Sequence, residues 1–348
     1  MRRQLVSLAL ACGVVSAGLA AAGTTTALAD TLSATSATIN SASFTASAPP
    51  ASAPKGVSPE AFYDEATKTY YLLTTAMPPT QYSSADGVTW TPTATALPRG
   101  LDWSIVQEGP SSYRLYYAEM VPTAPGSGPT PPCTPKTKAL HYATSTDLQT
   151  WTAQPGVLLD DVGCGVPHVM KTKAGKYFLY FNAVNGVHGV NIATSNDGLS
   201  WNLQPGVIND DTELVDPAPL ELPDGTFVMV ASTTGGQGQY QYLQLLSSSD
   251  AVHWVKRSTP LYKPSGAGAF DPSIELVDGK LRVWFGYSPG GSYDAARITN
   301  GTLVLGAGGS SAPAAAKAKA GSACAKKGAK SGALVCKPVK GKLTWVRR

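Results

Sequence analysis

Short apolar runs alternate with turn-forming residues along most of this chain. From residue 57 to residue 306, runs rich in Tyr, Phe, Val and Leu are separated by Gly, Asp, Asn and Pro. Apolar runs of this length, bounded by turn residues, are typical of β-strands, and no segment carries the 3.6-residue period of an amphipathic helix. The pattern predicts an all-β domain over residues 57–306.

Two elements recur inside this region. The first ends in tryptophan and occurs as YSSADGVTW, ATSTDLQTW, ATSNDGLSW and LSSSDAVHW, with the tryptophans 61, 50 and 53 residues apart. The second is a strand, a tight turn and a second strand, and it begins at Val57, Leu101, Val166, Val215 and Phe270. Five copies at this period predict a five-bladed β-propeller, with one four-stranded sheet per blade around a central channel.

The flanking segments differ in composition from the repeats. Residues 1–29 carry two arginines, an apolar stretch and Ala27-Leu28-Ala29, the order of a secretory signal peptide. An uncleaved membrane anchor is the alternative. Residues 30–56 and 307–321 are rich in small and polar residues and are predicted linkers. The protein is therefore expected to be secreted, extracellular or cell-wall associated, with no membrane span after cleavage.

Charge and cysteine are unevenly distributed. Outside the signal, the part before Lys317 holds 15 basic and 23 acidic residues, whereas the residues from Lys317 onward hold ten basic residues and no acidic one. This split predicts different partners for the two parts.

An exported chain with four cysteines after the signal favours two disulfides, pairing Cys133 with Cys164 and Cys324 with Cys336. The second pair predicts a stapled hairpin over residues 322–348.

Propeller geometry separates the acidic residues into two groups. The acids of the tryptophan turns are expected at the far face as turn formers, because Asp stabilises tight turns through its neighbouring backbone; they are Asp86, Asp147, Asp197 and Asp250. At the channel mouth the inner strands begin, and side chains alternate along a strand. Positions one and three of these strands therefore predict a single funnel ringed by Glu60, Asp102, His168, Asp216 and Asp271.

The loops around the funnel carry a composition that suits sugar binding. Trp103 and Phe270 lie next to funnel acids, and we predict that they stack on sugar rings, with a buried packing role as the alternative for each. Further predicted contacts to substrate come from the rim loops and are Asn182, His188, Gln239 and Tyr240.

The repeats resemble the five-bladed propellers of furanose-active glycoside hydrolases, the arabinanase, invertase and levansucrase superfamily that includes families 32 and 43. Three features carry the resemblance over about 250 residues: the Asp-Pro starts at Asp216 and Asp271, the Tyr-Tyr-Leu type second strands, and the Ser-x-Asp-x-x-x-Trp turns. The resemblance implies hydrolysis of a furanose-containing or related polysaccharide, a reaction that needs a proton donor and a second carboxylate.

The resemblance also implies where the catalytic acids belong. In these families they come from the first, third and fourth blades, positions that fall here on Ser58, Val166 and close to Asp216. Only the last of these is acidic, so the site is divergent. We predict Glu60 as the base and Asp216 as the acid, with His168 and Asp271 tuning the site or binding substrate. Asp102 is a further catalytic candidate, and His168 is an alternative general acid near neutral pH. Two alternatives stay open: a propeller that binds carbohydrate without cleaving it, and a scaffold or an unrelated chemistry on this fold.

The last segment resembles a two-cysteine module found at the C-termini of actinobacterial exported proteins. Its basic charge predicts attraction to acidic cell-wall polymers, with a solubilising tail as the alternative. No nucleic-acid partner is predicted. No nucleotide, flavin or redox cofactor is predicted either, because no glycine-rich phosphate loop lies between a strand and a helix. The pairs Asp160-Asp161 and Asp210-Asp211 are either a structural calcium site or solvated loop acids.

Overall fold

Five four-stranded antiparallel sheets follow one another along the chain and confirm the predicted all-β five-bladed propeller. The structure is a computed structural model that describes residues 32–76, 78–121, 136–183, 189–236, 239–306, 330–331, 334–339 and 342–347. In every blade the first strand of the repeat contacts the first strands of the neighbouring blades. These five strands therefore surround the central channel.

The first four blades are built from consecutive strands. Blade 1 contains β2 (Val57–Asp64), β3 (Thr69–Thr75), β4 (Thr80–Ser84) and β5 (Thr91–Pro92). Blade 2 contains β6 (Leu101–Gly109), β7 (Ser112–Met120), β8 (Lys138–Ser145) and β9 (Thr152–Ala153). Blade 3 contains β10 (Gly165–Lys171), β11 (Tyr177–Asn182), β12 (Val190–Ser195) and β13 (Asn202–Leu203). Blade 4 contains β14 (Leu214–Glu221), β15 (Phe227–Thr233), β16 (Leu243–Ser248) and β17 (Trp254–Lys256).

The fifth blade takes its outer strand from the beginning of the chain. It contains β18 (Ala267–Val277), β19 (Lys280–Pro289), β20 (Arg297–Val304) and β1 (Ser43–Ala46), and β1 pairs with β20. Just before β1, helix α1 (Ser36–Asn40) is capped by Thr35 and buries Ile39 completely in the hydrophobic core of blades 4 and 5. The predicted linker over residues 30–56 is therefore wrong for α1 and β1, which close the ring of blades.

The far-face turns are built on one repeated hydrogen-bond pattern. Asp86 Oδ1 accepts the backbone N–H groups of Val88 and Thr89 at 2.8 and 2.7 Å, and the same arrangement recurs at Asp147, Asp197 and Asp250. These backbone donors lower the pKa of Asp86 and Asp147 to about 2. The prediction that these four acids form turns is confirmed.

Each of these turns is fastened to the preceding blade by a buried polar side chain. Trp284 Nε1 donates to the Gly87 carbonyl at 2.8 Å, and Tyr180 Oη donates to the Ala251 carbonyl at 2.5 Å. The two remaining turns are held in the same way by Gln81 and Tyr116. Apolar side chains fill the space between blades, as Leu73 and Leu115 do between blades 1 and 2. The rigid propeller that results fixes where the inner strands begin.

The C-terminal region contains a three-stranded sheet of β21 (Lys330–Ser331), β22 (Leu334–Val339) and β23 (Lys342–Arg347). Cys336 lies in β22, and its predicted disulfide partner Cys324 lies outside the described residues. The predicted signal peptide, residues 1–29, also lies outside them. Among the residues that the structure describes, no helix has the length and apolar character needed to cross a membrane.

Candidate functional site

The five inner strands begin with the same local distortion. The pairing between the first and second strands shifts register at this point in every blade. One residue in each shift has a left-handed backbone, with φ between 46° and 56°, and these residues are Ser58, Asp102, Val166, Asp216 and Asp271. A bulge residue in this conformation re-aims the side chains around it. The aligned starts predicted from the sequence are therefore equivalent in three dimensions.

Every bulge N–H group has a side-chain acceptor. Asp271 Oδ2 accepts from Ser58 N at 3.0 Å, and Asp102 Oδ2 accepts from Val166 N at 3.2 Å. For the other three bulges the acceptor is a side chain at the end of a second strand: Thr75 for Asp102 N, Asn182 for Asp216 N and Ser232 for Asp271 N. The bulge acids therefore help to join the blades.

Three of the predicted acids line one open cavity of about 500 Å³ at the channel mouth. Asp102, Asp216 and Asp271 contribute to its wall together with Val57, Val166 and Val215. The polar residues around them are Lys138, Asn182, Thr234, Gln241 and Tyr293. An open cavity with apolar walls and a few convergent polar groups is the usual form of a small-molecule site.

Asp216 and Asp271 form a buried carboxyl pair in this cavity. Their side chains are in hydrogen-bond contact, and the residues are only 5% and 6% exposed. Burial raises the pKa of both, and the charge of Asp216 raises the pKa of Asp271 further. Two carboxylates in contact cannot both remain ionised, so the pair holds one proton well above the usual range for carboxylic acids.

Asp102 is held in a different way from the pair. Its Oδ2 atom lies 3.2 Å from Lys138 Nζ, and the same ammonium group donates to the Cys164 carbonyl at 2.7 Å. Gly165 makes this approach possible, because a Cβ atom there would lie 2.5 Å from Lys138 Nζ. Blade 2 is adjacent to neither blade 4 nor blade 5, so Asp102 lies across the channel from the pair.

The channel is narrow below the mouth. The residue after each bulge contributes to a waist formed by Pro59, Trp103, Pro167, Pro217 and Pro272, around a space of only about 10 Å³. Beyond the waist a second cavity of about 340 Å³ is lined by Glu60, His168, Glu275, Lys171 and others. The channel therefore contains two polar compartments.

The five ionisable groups predicted to form one ring are spread along the channel, and four of them border the narrow space at the waist: Glu60, Asp102, His168 and Asp271. Glu60 and His168 line the cavity beyond the waist, whereas Asp216 lines the mouth. Glu60 Oε1 accepts the Ile105 N–H at 2.6 Å, and burial raises the pKa of Glu60 well above its ordinary value. Burial lowers the pKa of His168 to about 4, so its ring is neutral at neutral pH. Glu60 and Asp216 line different cavities, and their pairing as base and acid stays a prediction.

The predicted stacking platforms are also wrong. Trp103 is 3% exposed and packs against Tyr117, and Phe270 is 1% exposed in the wall beneath the mouth. Trp103 belongs to the hydrophobic cluster between blades 1 and 2, and Phe270 packs against Tyr293, so neither side chain offers an exposed face for stacking. The alternative of a buried packing role holds for both.

The other predicted substrate contacts have mixed outcomes. Asn182 lines the mouth, and its Nδ2 atom donates to Asp216 Oδ1 at 2.7 Å. Tyr240 is 43% exposed on the rim, and Gln239 Oε1 accepts from Lys263 Nζ at 3.1 Å. His188 lies outside the described residues.

Four polar mouth residues were not selected from the sequence: Lys138, Thr234, Gln241 and Tyr293. Gln241 and Tyr293 belong to rim loops with the Gly, Gln and Tyr composition that marks such loops. Lys138 begins β8 directly after a Pro/Gly-rich loop, and no sequence signal separates it from other lysines. The sequence therefore predicted which loops form the rim, but it did not predict which of their side chains line the mouth cavity.

The predicted pairing of Cys133 with Cys164 and the possible calcium site both stay predictions. Cys164 is disulfide-bonded, and Cys133, its predicted partner, lies outside the described residues. Among the paired loop acids, Asp161 accepts the Gly163 N–H, and Asp211 pairs with Lys256. Within the described part of the chain, no group of three or more His, Cys, Asp and Glu side chains is arranged to hold a metal ion.

Comparison with known proteins gives likeness in structure alone. No protein-family model matches the chain, and no curated protein matches it. An exo-1,5-α-L-arabinanase from a bovine ruminal metagenomic library is similar with a TM-score of 0.58 and 14% identity, over 74% of this chain and 99% of that one. The α-L-arabinanase of Cellvibrio cellulosa, in complex with arabinohexaose, is similar with a TM-score of 0.53 and 15% identity, over 71% and 91%. The chain thus shares the propeller fold of arabinanases.

Proposed function

We propose that this protein is a glycoside hydrolase that acts on a furanose-containing or related polysaccharide. One observation carries the proposal: a proton-holding carboxyl pair, Asp216 and Asp271, lies across an open cavity from the ion-paired carboxylate of Asp102. Glycosidic bond hydrolysis uses a carboxylic acid on one side of the scissile bond and a carboxylate on the other. The fold shared with arabinanases makes arabinan the first substrate to test.

In the proposed reaction the buried carboxyl pair acts as the acid and the ion-paired Asp102 acts as the base. The Asp216–Asp271 pair donates its proton to the glycosidic oxygen, and the bond from that oxygen to the anomeric carbon breaks. A water molecule adds to the anomeric carbon, and its proton passes to Asp102. Asp102 Oδ1 is the less engaged oxygen of that carboxylate, with one weak contact to Thr75 Oγ1 at 3.4 Å.

The second candidate is a propeller that binds carbohydrate without cleaving it. The specific observation in its favour is that Ser58 and Val166 occupy the bulges of blades 1 and 3, where the hydrolases that the repeats resemble carry acids. Asp102 also accepts the Val166 N–H and so serves as a link between blades. Both candidates place a saccharide in the mouth, and turnover separates them.

Hydrolysis of a polysaccharide panel tests the proposal. The panel contains arabinan, fructan and galactofuranan, and the variants are Asp102→Asn, Asp216→Asn and Asp271→Asn. Asparagine suits the left-handed bulges, since Asn and Asp tolerate this conformation best. Asp278→Asn is the matched control, because Asp278 is exposed on the far face and has a φ of 49°. We expect each mouth variant to lose about a hundredfold in kcat, with the control unchanged. Glycan binding without turnover would favour the second candidate.

We also propose that the protein acts outside the cell and that its basic tail attracts acidic cell-wall polymers. The order of residues 1–29 and the ten basic residues from Lys317 onward support this. The test compares retention on cells for the full chain and for a chain truncated before Lys317, at low and high salt. Retention that is unaffected by truncation would contradict the proposal.

A further inference from the structure

One side of the mouth is an aromatic wall. Tyr293 is 54% exposed and lines the mouth cavity, and Tyr240 is 43% exposed on the rim beside it. Large aromatic side chains are usually buried or half-buried in folded proteins, so two exposed rings beside a polar cavity are a binding feature. Nothing in the proposed reaction uses either ring.

The ring of Tyr293 is held in a fixed position. It makes a T-shaped contact with Phe270, with the ring centroids 4.9 Å apart and the planes at 73°. Its hydroxyl donates to Gln241 Oε1 at 2.6 Å. An aromatic ring that is fixed before binding loses little conformational freedom when a ligand stacks on it. Phe270, predicted as a platform itself, instead supports the platform from below.

Tyr293 stands close to the carboxyl pair. Burial raises the pKa of Tyr293, and the charges of Asp271 and Asp216 raise it further, so both carboxyl groups act on its hydroxyl electrostatically. A sugar ring that covers the exposed face of Tyr293 would therefore have its substituents beside the proton that the pair holds. The tyrosine would position the sugar and take no part in proton transfer.

Tyr240 continues the wall away from the acids. Its ring packs over Gly291, where a Cβ atom would lie 2.5 Å from Tyr240 Cδ1. Gly290 and Gly291 both have left-handed backbones, with φ of 70° and 72°. The two glycines remove side chains from the space next to the rings. Tyr240 lies outside the mouth cavity itself, so it reaches a ligand only where the ligand extends beyond the cavity.

We infer that Tyr293 is the platform for the sugar unit beside the carboxyl pair and that Tyr240 is the platform for a unit further out. The site is thereby assigned to chains of at least two sugars, with affinity that rises with chain length. The flat C–H face of a furanose or pyranose ring is the chemistry that an aromatic face recognises. This inference rests on the proposed function as far as the ligand is a saccharide.

Binding of arabino-oligosaccharides with two to six sugar units tests the inference, measured by calorimetry on the full chain. We expect Tyr293→Leu to weaken binding about tenfold at every length, in line with loss of one aromatic contact. Tyr293→Phe keeps the ring and should stay within about threefold, because the lost hydroxyl bonds to protein. Tyr240→Leu should weaken binding only of the longer chains. Tyr63→Leu is the control, because this tyrosine packs on Tyr70 near the far face.

The outcomes separate this inference from the proposed hydrolase activity. Binding that depends on Tyr293 in a protein that hydrolyses nothing supports the platform and overturns the hydrolase. Hydrolysis with a KM that Tyr293→Leu leaves unchanged overturns the platform and leaves the hydrolase standing. A Tyr240→Leu effect that is equal at all lengths overturns the two-unit arrangement. Absence of any binding by the unaltered chain overturns the inference outright.

Discussion

Replacement of Val166 by asparagine should stabilise the protein. Val166 has a φ of 49°, and it is the one β-branched residue among the five equivalent bulges; the others are Ser or Asp. In the left-handed region the branched Cβ crowds the backbone, at a cost of about 1–2 kcal/mol relative to ordinary geometry. Asparagine tolerates this region. The backbone N–H of residue 166 keeps its bond to Asp102 Oδ2 at 3.2 Å whatever the side chain.

The opposing term is the loss of apolar burial. Val166 is only partly buried in the wall of the mouth, so its replacement removes less than the roughly 1.5–3 kcal/mol of a fully buried aliphatic side chain. We take about half of the lower figure, or about 0.7 kcal/mol. The net gain in the free energy of unfolding is then about 1 kcal/mol, which corresponds to an increase in Tm of about 2–4 °C for a domain of this size.

Thermal unfolding of two matched variants tests this reasoning. Val57 lines the same cavity and is also partly buried, but its φ lies outside the left-handed region. Val57→Asn therefore loses apolar burial without relief of strain, and we expect it to lower the Tm. A Val166→Asn protein that is no more stable than Val57→Asn would refute the argument that strain is stored at this bulge.

Three further predictions concern stability and its dependence on pH. Burial raises the pKa of Glu275 from 4.5 to about 8, so the folded state holds this proton and stability falls as the pH rises from 4.5 through 8. Glu275→Gln should flatten the plot of Tm against pH over that window, and an unchanged slope would contradict the assignment. Lys138→Met leaves the buried carboxylate of Asp102 without its cation and should cost about 3 kcal/mol in chemical denaturation, whereas Lys136→Met, at an exposed ion pair, should cost under about 1 kcal/mol. Ile39→Ala should cost about 3 kcal/mol, because α1 buries this side chain completely; a cost near zero would mean that α1 is dispensable.

The propeller was predictable because it repeats. Five strand pairs and four tryptophan turns at a regular spacing are consistent evidence, although each copy is weak alone. The outer strand of the fifth blade, β1, was not predicted, for a physical reason. Strand β1 is four residues long with no fully buried position, and its neighbourhood is rich in Ser, Thr and Ala. The strand is held by backbone pairing to β20 and by Phe44, which packs against Tyr262 and Phe285. An alternation of two apolar residues over four positions is too short to predict a strand.

The sequence predicted that Asp102, Asp216 and Asp271 lie at the mouth. It did not predict that Glu60 and His168 line a separate cavity beyond the waist, because a bulge separates the two sets of positions. The prediction assumed an ordinary strand, in which positions one and three share a face. Here position one is left-handed and the register shifts before position three, so the two positions separate. Glu60 at position three accepts the N–H of Ile105 in blade 2, and Ser104 and Ser273 accept the N–H groups of Val169 and Ala61 in the same way.

Position three is thus a joint, at which a side chain accepts a backbone N–H group of the next inner strand. Glu60 is the joint residue of blade 1. Its two neighbours in that ring of joints use a serine hydroxyl, which is neutral, for the same hydrogen bond. A carboxyl group is not needed to accept one N–H, yet Glu60 is kept at a place where burial raises its pKa, with His168 Nδ1 3.9 Å from its Oε2 atom. Burial favours the uncharged form of both groups, so neither charge has to be buried at neutral pH. Glu60 and His168 are therefore a neutral pair beyond the waist, and the proposed reaction at the mouth uses Asp102, Asp216 and Asp271.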